Sequence, residues 1–171
     1  MKSEFVSDGM FVPKLFFETR KRLVVSKSFL ELVLSVASPI KLAPMATLAS
    51  FDITKTADDK VNADATGGVI FENVDTLCLQ LAEMLLIQWN GYGGVLLVDG
   101  KANTFYTGGT DDKILEVRAK FIRLGREWEW YVDASQFGET GSDEGDRVFT
   151  LISSNDQSAK SPPAQRRGWY S

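Results

Sequence analysis

Carboxylates are the side chains through which this sequence could do chemistry, because the chain contains no histidine and a single cysteine, Cys78. The lack of histidine excludes Ser-His-Asp and Cys-His nucleophile arrangements, the commonest general base and the usual zinc sites. Cys78 lies in an apolar stretch with no neighbouring cation, which is typical of a buried structural thiol. One cysteine cannot form an intrachain disulfide and fits a reducing compartment.

The densest acidic cluster lies between residues 138 and 146, where carboxylates alternate with glycines. Its members are Glu139, Asp143, Glu144 and Asp146. Flexible, oxygen-rich loops of this kind can bind calcium, but the spacing does not match a calcium loop, so we expect a solvated loop and no metal. A histidine-free enzyme would use this loop together with Glu127 or Glu129.

Two tryptophans, Trp128 and Trp130, fall on one face of a predicted strand, with two carboxylates and a tyrosine on the other. Flat rings stack on the apolar faces of ligands, and carboxylates accept hydrogen bonds from hydroxyl groups. The pattern therefore indicates a binding face for a carbohydrate, a small molecule or a protein partner. Core packing of both rings is the alternative, and two tryptophans on one strand face favour it.

Basic residues are concentrated at the two ends of the chain. The net charge is −4, yet residues 1–44 carry +3 and residues 155–171 carry +2, which leaves −9 for residues 45–154. Such ends can contact the acidic surface of a neighbouring subunit. The candidate interface residues are the basic clusters Arg20, Lys21, Arg22 and Arg166, Arg167, with Trp169 and Tyr170 as aromatic anchors.

Three hypotheses for the function follow, in order of preference. The first is a non-enzymatic assembly subunit, such as a virion component, whose partners are copies of itself or other subunits. The second is a binding module that uses the tryptophan face, and the third is the carboxylate enzyme. The acidic body disfavours nucleic acid as a partner. No cofactor is predicted, and the expected location is the cytoplasm or an assembled particle.

A membrane-spanning segment is not predicted. The longest apolar candidate, residues 29–37, is interrupted by Glu31 and Ser35 and is shorter than the ~18 residues that a membrane helix needs. We therefore expect no membrane insertion. The basic cluster near residue 20 also does not resemble a secretory signal, because the apolar stretch that follows it contains a carboxylate.

The elements that would position these residues indicate an α+β fold. One long helix is predicted over residues 75–89, with Asn73 or Asp75 as its N-cap and Asn90-Gly91 at its end. It is apolar on nearly every side, so it should be buried on more than one face. A short helix is predicted over residues 29–37, where Ser28 and Glu31 have capping-box spacing.

About seven strands, mostly antiparallel, are expected to pack on the long helix. The predicted strands cover residues 48–54, 69–72, 95–98, 103–107, 115–121, 128–132 and 147–152. Asp99-Gly100 predicts a hairpin between the third and fourth, and Gly125 one between the fifth and sixth. The domain organisation is then an N-terminal extension at 1–44, a compact domain at 45–152 and a polar tail at 153–171, disordered by itself.

Overall fold

The structure is a computed structural model that describes residues 3–55, 57–58, 70–139 and 141–152. Its strands are β1 Val6–Ser7, β2 Met10–Phe11, β3 Leu23–Val25, β4 Ile40–Lys41, β5 Leu48–Asp52, β6 Ala57–Asp58, β7 Asn103–Gly108, β8 Ile114–Leu124, β9 Glu127–Gln136, β10 Gly141–Ser142 and β11 Arg147–Leu151. Its α-helices are α1 Pro13–Phe17, α2 Lys27–Phe29 and α3 Val74–Ile87. The α+β class predicted from the sequence is confirmed.

The main sheet has six strands in the order β3-β9-β8-β7-β11-β5. Three neighbouring pairs are antiparallel, but β3 with β9 and β7 with β11 are parallel. The expected sheet of seven mostly antiparallel strands is therefore only partly correct. The parallel pairs have two origins. Strand β3 comes from the N-terminal extension at residues 1–44, which we call the opening segment, and β11 returns beside β7 after the β8–β9 hairpin is complete.

The β8–β9 hairpin is the longest ladder and follows the sequence pattern closely. Ten residue pairs join its strands, from Leu115↔Gln136 to Leu124↔Glu127. The turn between them contains Gly125 at a positive φ of 67°, a backbone conformation that glycine adopts at little cost. Apolar residues alternate along both strands, which gives the sheet one face directed at the core.

Helix α3 confirms the predicted long helix. Asn73 is its N-cap, and its side chain accepts a hydrogen bond from Thr76 N at 3.0 Å. Nine of its fourteen residues are buried, because the main sheet covers one side and the opening segment the other. Ser38 N, in that opening segment, donates to Asp75 Oδ1 at 2.7 Å. Burial on more than one face is therefore correct.

The opening segment contributes a large share of the aromatic core. Its phenylalanines at 5, 11, 16, 17 and 29 are all buried in the same cluster as the side chains of α3 and the sheet. Phe16 contacts Phe5 and Phe17 with ring centroids 5.0 and 4.9 Å apart. Strands β1, β2 and β4 form a small separate sheet.

The short helix of the opening segment begins earlier than predicted. Ser26, not Ser28, is its N-cap, because the Ser26 hydroxyl accepts a hydrogen bond from Phe29 N at 3.0 Å. After α2 the chain continues as a π-helical turn over Leu30–Leu34. The capping-box expectation thus identified the helix but misplaced its start by two residues.

Residues 95–98 do not form the strand that was predicted, and Asp99-Gly100 does not close a hairpin. The reason lies in the sheet, where β8 and β11 already flank β7 on both sides. The backbone of this segment is instead held by side chains, as described below. Residues 70–72 likewise contribute only one isolated bridge, between Phe71 and Thr107.

Within the described ranges, no helix combines the length and the apolar character that crossing a membrane requires.

Candidate functional site

A groove with aromatic walls lies between the β8–β9 hairpin and the segment that follows α3. Its volume is about 460 Å³, within the range of small-molecule sites. We call it the aromatic groove, and it is lined by Arg22, Asn90, Gly91, Tyr92, Val98, Phe121, Glu127 and Trp128. Three of the residues singled out from the sequence, Arg22, Glu127 and Trp128, thus meet at one site.

The structure separates the two tryptophans of β9. Trp130 has no exposed surface and packs in the core, whereas Trp128 is 45% exposed in the groove. Phe121 of β8 connects them, because its ring lies 4.9 Å from that of Trp130 and 5.4 Å from that of Trp128. The binding-face hypothesis therefore applies to Trp128, and the core interpretation applies to Trp130.

Trp128 is held flat against Phe121, with an angle of 19° between the ring planes. This contact covers one face of the indole, and Trp128 lines the groove together with Phe121. Offset stacking of this kind restricts the rotation of the ring. Trp128 is therefore a rigid, flat apolar platform.

Arg22 fixes the position of Trp128 from the other side. Its Nε and Nη2 donate to the Trp128 carbonyl oxygen at 3.3 and 3.1 Å, and its Nη1 donates to Asn90 Oδ1 at 3.4 Å. The Arg22 backbone is in the left-handed region, with φ of 66°, which is uncommon for a residue other than glycine. Such conformations cluster at functional sites, where the surrounding contacts maintain them.

The opposite wall of the groove is formed by the segment that follows α3. Tyr92 projects from it with 82% of its surface exposed. Gly91, at φ of 89°, lies so close to Phe121 that an added Cβ would be 3.0 Å from the Phe121 ring. The wall can therefore approach the hairpin only because residue 91 has no side chain.

Side-chain amides hold this wall in place. Gln88 is buried and pairs with Leu96, accepting from its N and donating to its O, both at 2.8 Å. Asn103 forms the same reciprocal pair with Leu97, at 2.7 and 3.0 Å. A Cβ at Gly94 would overlap the Gln88 side chain, which explains the glycine there.

The chemistry available in the groove is that of binding. Glu127 is exposed and is the only carboxylate among the described lining residues, so the acid and base pair of a carboxylate enzyme is not assembled there. The polar groups are the Glu127 carboxylate, the Asn90 amide and the Tyr92 hydroxyl. Together with the Trp128 platform they can orient a ligand that carries both an apolar face and hydrogen-bonding groups.

The other residues of the first basic cluster lie elsewhere. The Arg20 guanidinium is 4.0 Å from the Trp89 ring centroid and also lies over Phe5 and Phe16, at 5.2 and 5.7 Å. Burial lowers the pKa of Arg20 from its ordinary value, and the charge of Glu4, 3.7 Å away, partly offsets this. Lys21 is exposed.

The acidic loop has a structural contact rather than a visible ion site. Asp146 is buried, and its carboxylate accepts hydrogen bonds from Ala102 N and Asp143 N at 2.9 and 2.8 Å. In the described part of the chain, no three acidic or thiol side chains converge as metal ligands do. Cys78 is fully buried in α3, and its pKa is raised by desolvation and by the charge of Asp75.

The remaining candidate residues from the sequence fall outside the described residues. They are Arg166, Arg167, Trp169 and Tyr170 of the tail. Sequence reasoning also missed several groove residues, among them Asn90, Tyr92 and Val98. The available signal was Tyr92, a tyrosine within a run of three glycines. Its exposure depends on how the segment after α3 packs against the hairpin, and not on its neighbours in sequence.

Comparison with known proteins finds no matching family model, no matching curated protein and no matching solved structure. The function is therefore argued from the groove itself.

Proposed function

We propose that the protein is a non-catalytic binding module that takes a small ligand in the aromatic groove. The ligand has a flat, partly apolar face that stacks on the free face of Trp128. Hydrogen bonds to the groove's polar groups orient it. This is the second of the three hypotheses drawn from the sequence, narrowed to one tryptophan.

The observation that carries the proposal is the exposure of a large ring that is already immobilised. Trp128 leaves 45% of its surface accessible although Phe121 and Arg22 fix its ring and its backbone. A rigid aromatic anchor loses little conformational entropy when a ligand binds, so it contributes more to affinity than a mobile side chain. Exposed, pre-organised tryptophans are also the residue type enriched at binding hot spots.

The test is a small-molecule screen observed by NMR on the full-length chain with ¹⁵N labelling. Binding in the groove should shift the indole N–H signal of Trp128 and the amides of residues 90–92, while the Trp130 indole signal stays in place. Trp128→Ala should abolish binding. Leu124→Ala is the matched control, because Leu124 is 41% exposed on the same hairpin but does not line the groove.

Two results would contradict the proposal. One is a diverse library in which no compound shifts the Trp128 indole signal. The other is a ligand whose affinity is unchanged by Trp128→Ala, since its site would then lie elsewhere.

The assembly subunit remains a second candidate, and a specific observation favours it. Met45, Ile87 and Val95 are 40–59% exposed around a second groove of about 320 Å³, on the far side of the wall that carries Tyr92. Clustered exposed apolar side chains of this kind are common at protein interfaces. Light scattering after size-exclusion chromatography should then give a mass above 19.0 kDa that falls towards the monomer in Ile87→Arg.

A monomeric mass for the unaltered chain at high concentration and low salt would contradict the assembly candidate. The apolar residues of the opening segment no longer support it, because they are buried within the chain's own core. That the basic tail at 153–171 contacts another subunit stays a prediction of the assembly hypothesis.

A further inference from the structure

We infer that the ligand of the aromatic groove is a neutral saccharide, bound with the apolar face of one pyranose ring on the indole of Trp128. This inference rests on the proposed function and specifies the chemical class of its ligand. Three features of the groove carry it: the ring platform, the use of the Arg22 donors and the position of Glu127.

The platform fits the face of a sugar ring. The π-face of an indole carries partial negative charge, and the C–H groups on one side of a pyranose carry partial positive charge. The Trp128 ring lines the groove, and Phe121 holds it within 19° of parallel to its own ring. The hydroxyl groups around the edge of the sugar would meet Glu127, Asn90 and Tyr92, which are hydrogen-bonding groups at the rim of the same groove.

Among the described residues, the charged ones that line the groove are one arginine and one glutamate, so its lining has no net positive charge to attract an anion. A guanidinium recognises carboxylates and phosphates through paired N–H groups. In Arg22 three of the five N–H groups are already engaged, those of Nε and Nη2 with the Trp128 carbonyl oxygen and one of Nη1 with Asn90, so Nη1 and Nη2 keep one N–H each. The exposed carboxylate of Glu127 lines the same groove and offsets the positive charge of Arg22.

The groove also differs from the cluster around Arg20, in which aromatic rings surround a cationic side chain. The Arg20 guanidinium is surrounded by three aromatic rings and its side chain is only 15% exposed. In the groove, Tyr92 is 82% exposed and Trp128 has one face on Phe121, so the rings do not enclose a cation. The lining therefore favours a neutral ligand, which would stack on the Trp128 ring and form hydrogen bonds through its hydroxyl groups.

The experiment compares matched ligands by NMR titration of the full-length chain. The probes are neutral oligosaccharides of glucose, galactose, mannose and N-acetylglucosamine, the uronic acid counterparts of the first three, and choline as a cation. A glycopeptide that ends in the same sugar distinguishes a protein-linked glycan from a free saccharide. At least one neutral saccharide should shift the Trp128 indole signal.

The preference for neutral over anionic saccharides should depend on the Glu127 carboxylate. We expect the uronic acid counterpart of the best neutral saccharide to bind about tenfold more weakly. Glu127→Gln should narrow this difference, because it removes the repulsion while keeping a hydrogen-bonding group. Trp128→Ala should abolish binding of both, and Leu124→Ala should change neither.

The outcomes separate this inference from the proposed function. If uronic acids bind as tightly as their neutral counterparts, or if only choline or non-saccharide compounds shift Trp128, the saccharide inference fails and the binding module stands. If neither the saccharides nor the wider library shifts Trp128, both fail.

Discussion

Gln88 and Asn103 each form with one residue of the wall segment the pair of backbone hydrogen bonds that a neighbouring strand would otherwise supply. Their side-chain amides donate to and accept from the backbone of Leu96 and Leu97, at distances of 2.7 to 3.0 Å. Buried backbone groups must be paired, and no strand edge is free beside this segment. Two polar side chains therefore decide where one wall of the groove lies.

Replacing Gln88 should loosen this wall. Gln88→Ala leaves both backbone groups of the buried Leu96 unpaired, which we expect to lower the free energy of unfolding by about 2 kcal/mol. Urea denaturation measures the loss. Hydrogen exchange should accelerate at the Leu96 amide, while the Leu97 amide, held by Asn103, is the internal control. Equal protection of Leu96 in both proteins would contradict this account.

The Cys78 thiol should be unreactive in the folded protein. It is fully buried and its pKa is raised, so the thiolate that reacts with alkylating agents is hardly populated. We expect iodoacetamide at pH 8 to label the chain at Cys78 only after denaturation, as measured by mass spectrometry. Rapid labelling without denaturant would show that α3 opens or that the thiol is accessible.

At the scale of elements, α3 connects the two halves of the core. Its buried residues face both the sheet and the phenylalanines of the opening segment, so it has no broad wet face. The helix ends at Ile87, before the β8–β9 hairpin ends. The residues that follow the helix, Asn90 to Tyr92, line the groove together with Phe121 and Trp128 of the hairpin.

The two sides of α3 give a matched pair of substitutions. Leu81 has no exposed surface, so Leu81→Ala should cost about 2–5 kcal/mol of unfolding free energy. Ile87 is 55% exposed, and Ile87→Ala should cost much less. Chemical denaturation of both variants tests the comparison, and similar losses would mean that Leu81 is not a core residue.

At the scale of the whole molecule, the opening segment and the sheet share one hydrophobic core. Strand β3 is an edge of the six-stranded sheet, and Phe16 contacts Trp89 at the end of α3 with ring centroids 6.5 Å apart. Arg22 belongs to the same segment, so the integrity of this segment also determines the groove. Whether residues 1–44 contact another chain as well stays a prediction.

Substitution within the opening segment should therefore destabilise the entire fold. Phe16 is fully buried, and Phe16→Ala should lower the free energy of unfolding by about 3–5 kcal/mol. Leu15, which is 36% exposed, supplies the control Leu15→Ala. Thermal denaturation followed by near-ultraviolet circular dichroism should show one cooperative transition at a lower temperature for Phe16→Ala. A separate early transition, with the sheet unaffected, would contradict the shared core.

The sequence by itself determined the features that depend on near neighbours. The Asn73 cap, the apolar character of α3, the alternation along β8 and β9 and the turn at Gly125 all involve residues a few positions apart. Local backbone preferences and side-chain periodicity act over that range. These elements could therefore be predicted with their types, and the limits of α3 within two residues, whereas β8 and β9 continue three and four residues beyond their predicted ends.

Only the tertiary structure decided which of these elements meet, and hence where the groove lies. Trp128 and Trp130 have the same position in the strand pattern, yet Trp128 is exposed while Trp130 is buried in the hydrophobic core. The contact of Arg22 with Trp128 spans 106 positions of the chain. Residues 95–98 have a strand-like sequence but cannot pair with β7 as predicted, because β8 and β11 already flank that strand. Exposure and pairing are properties of the packed chain, so the local pattern cannot determine them.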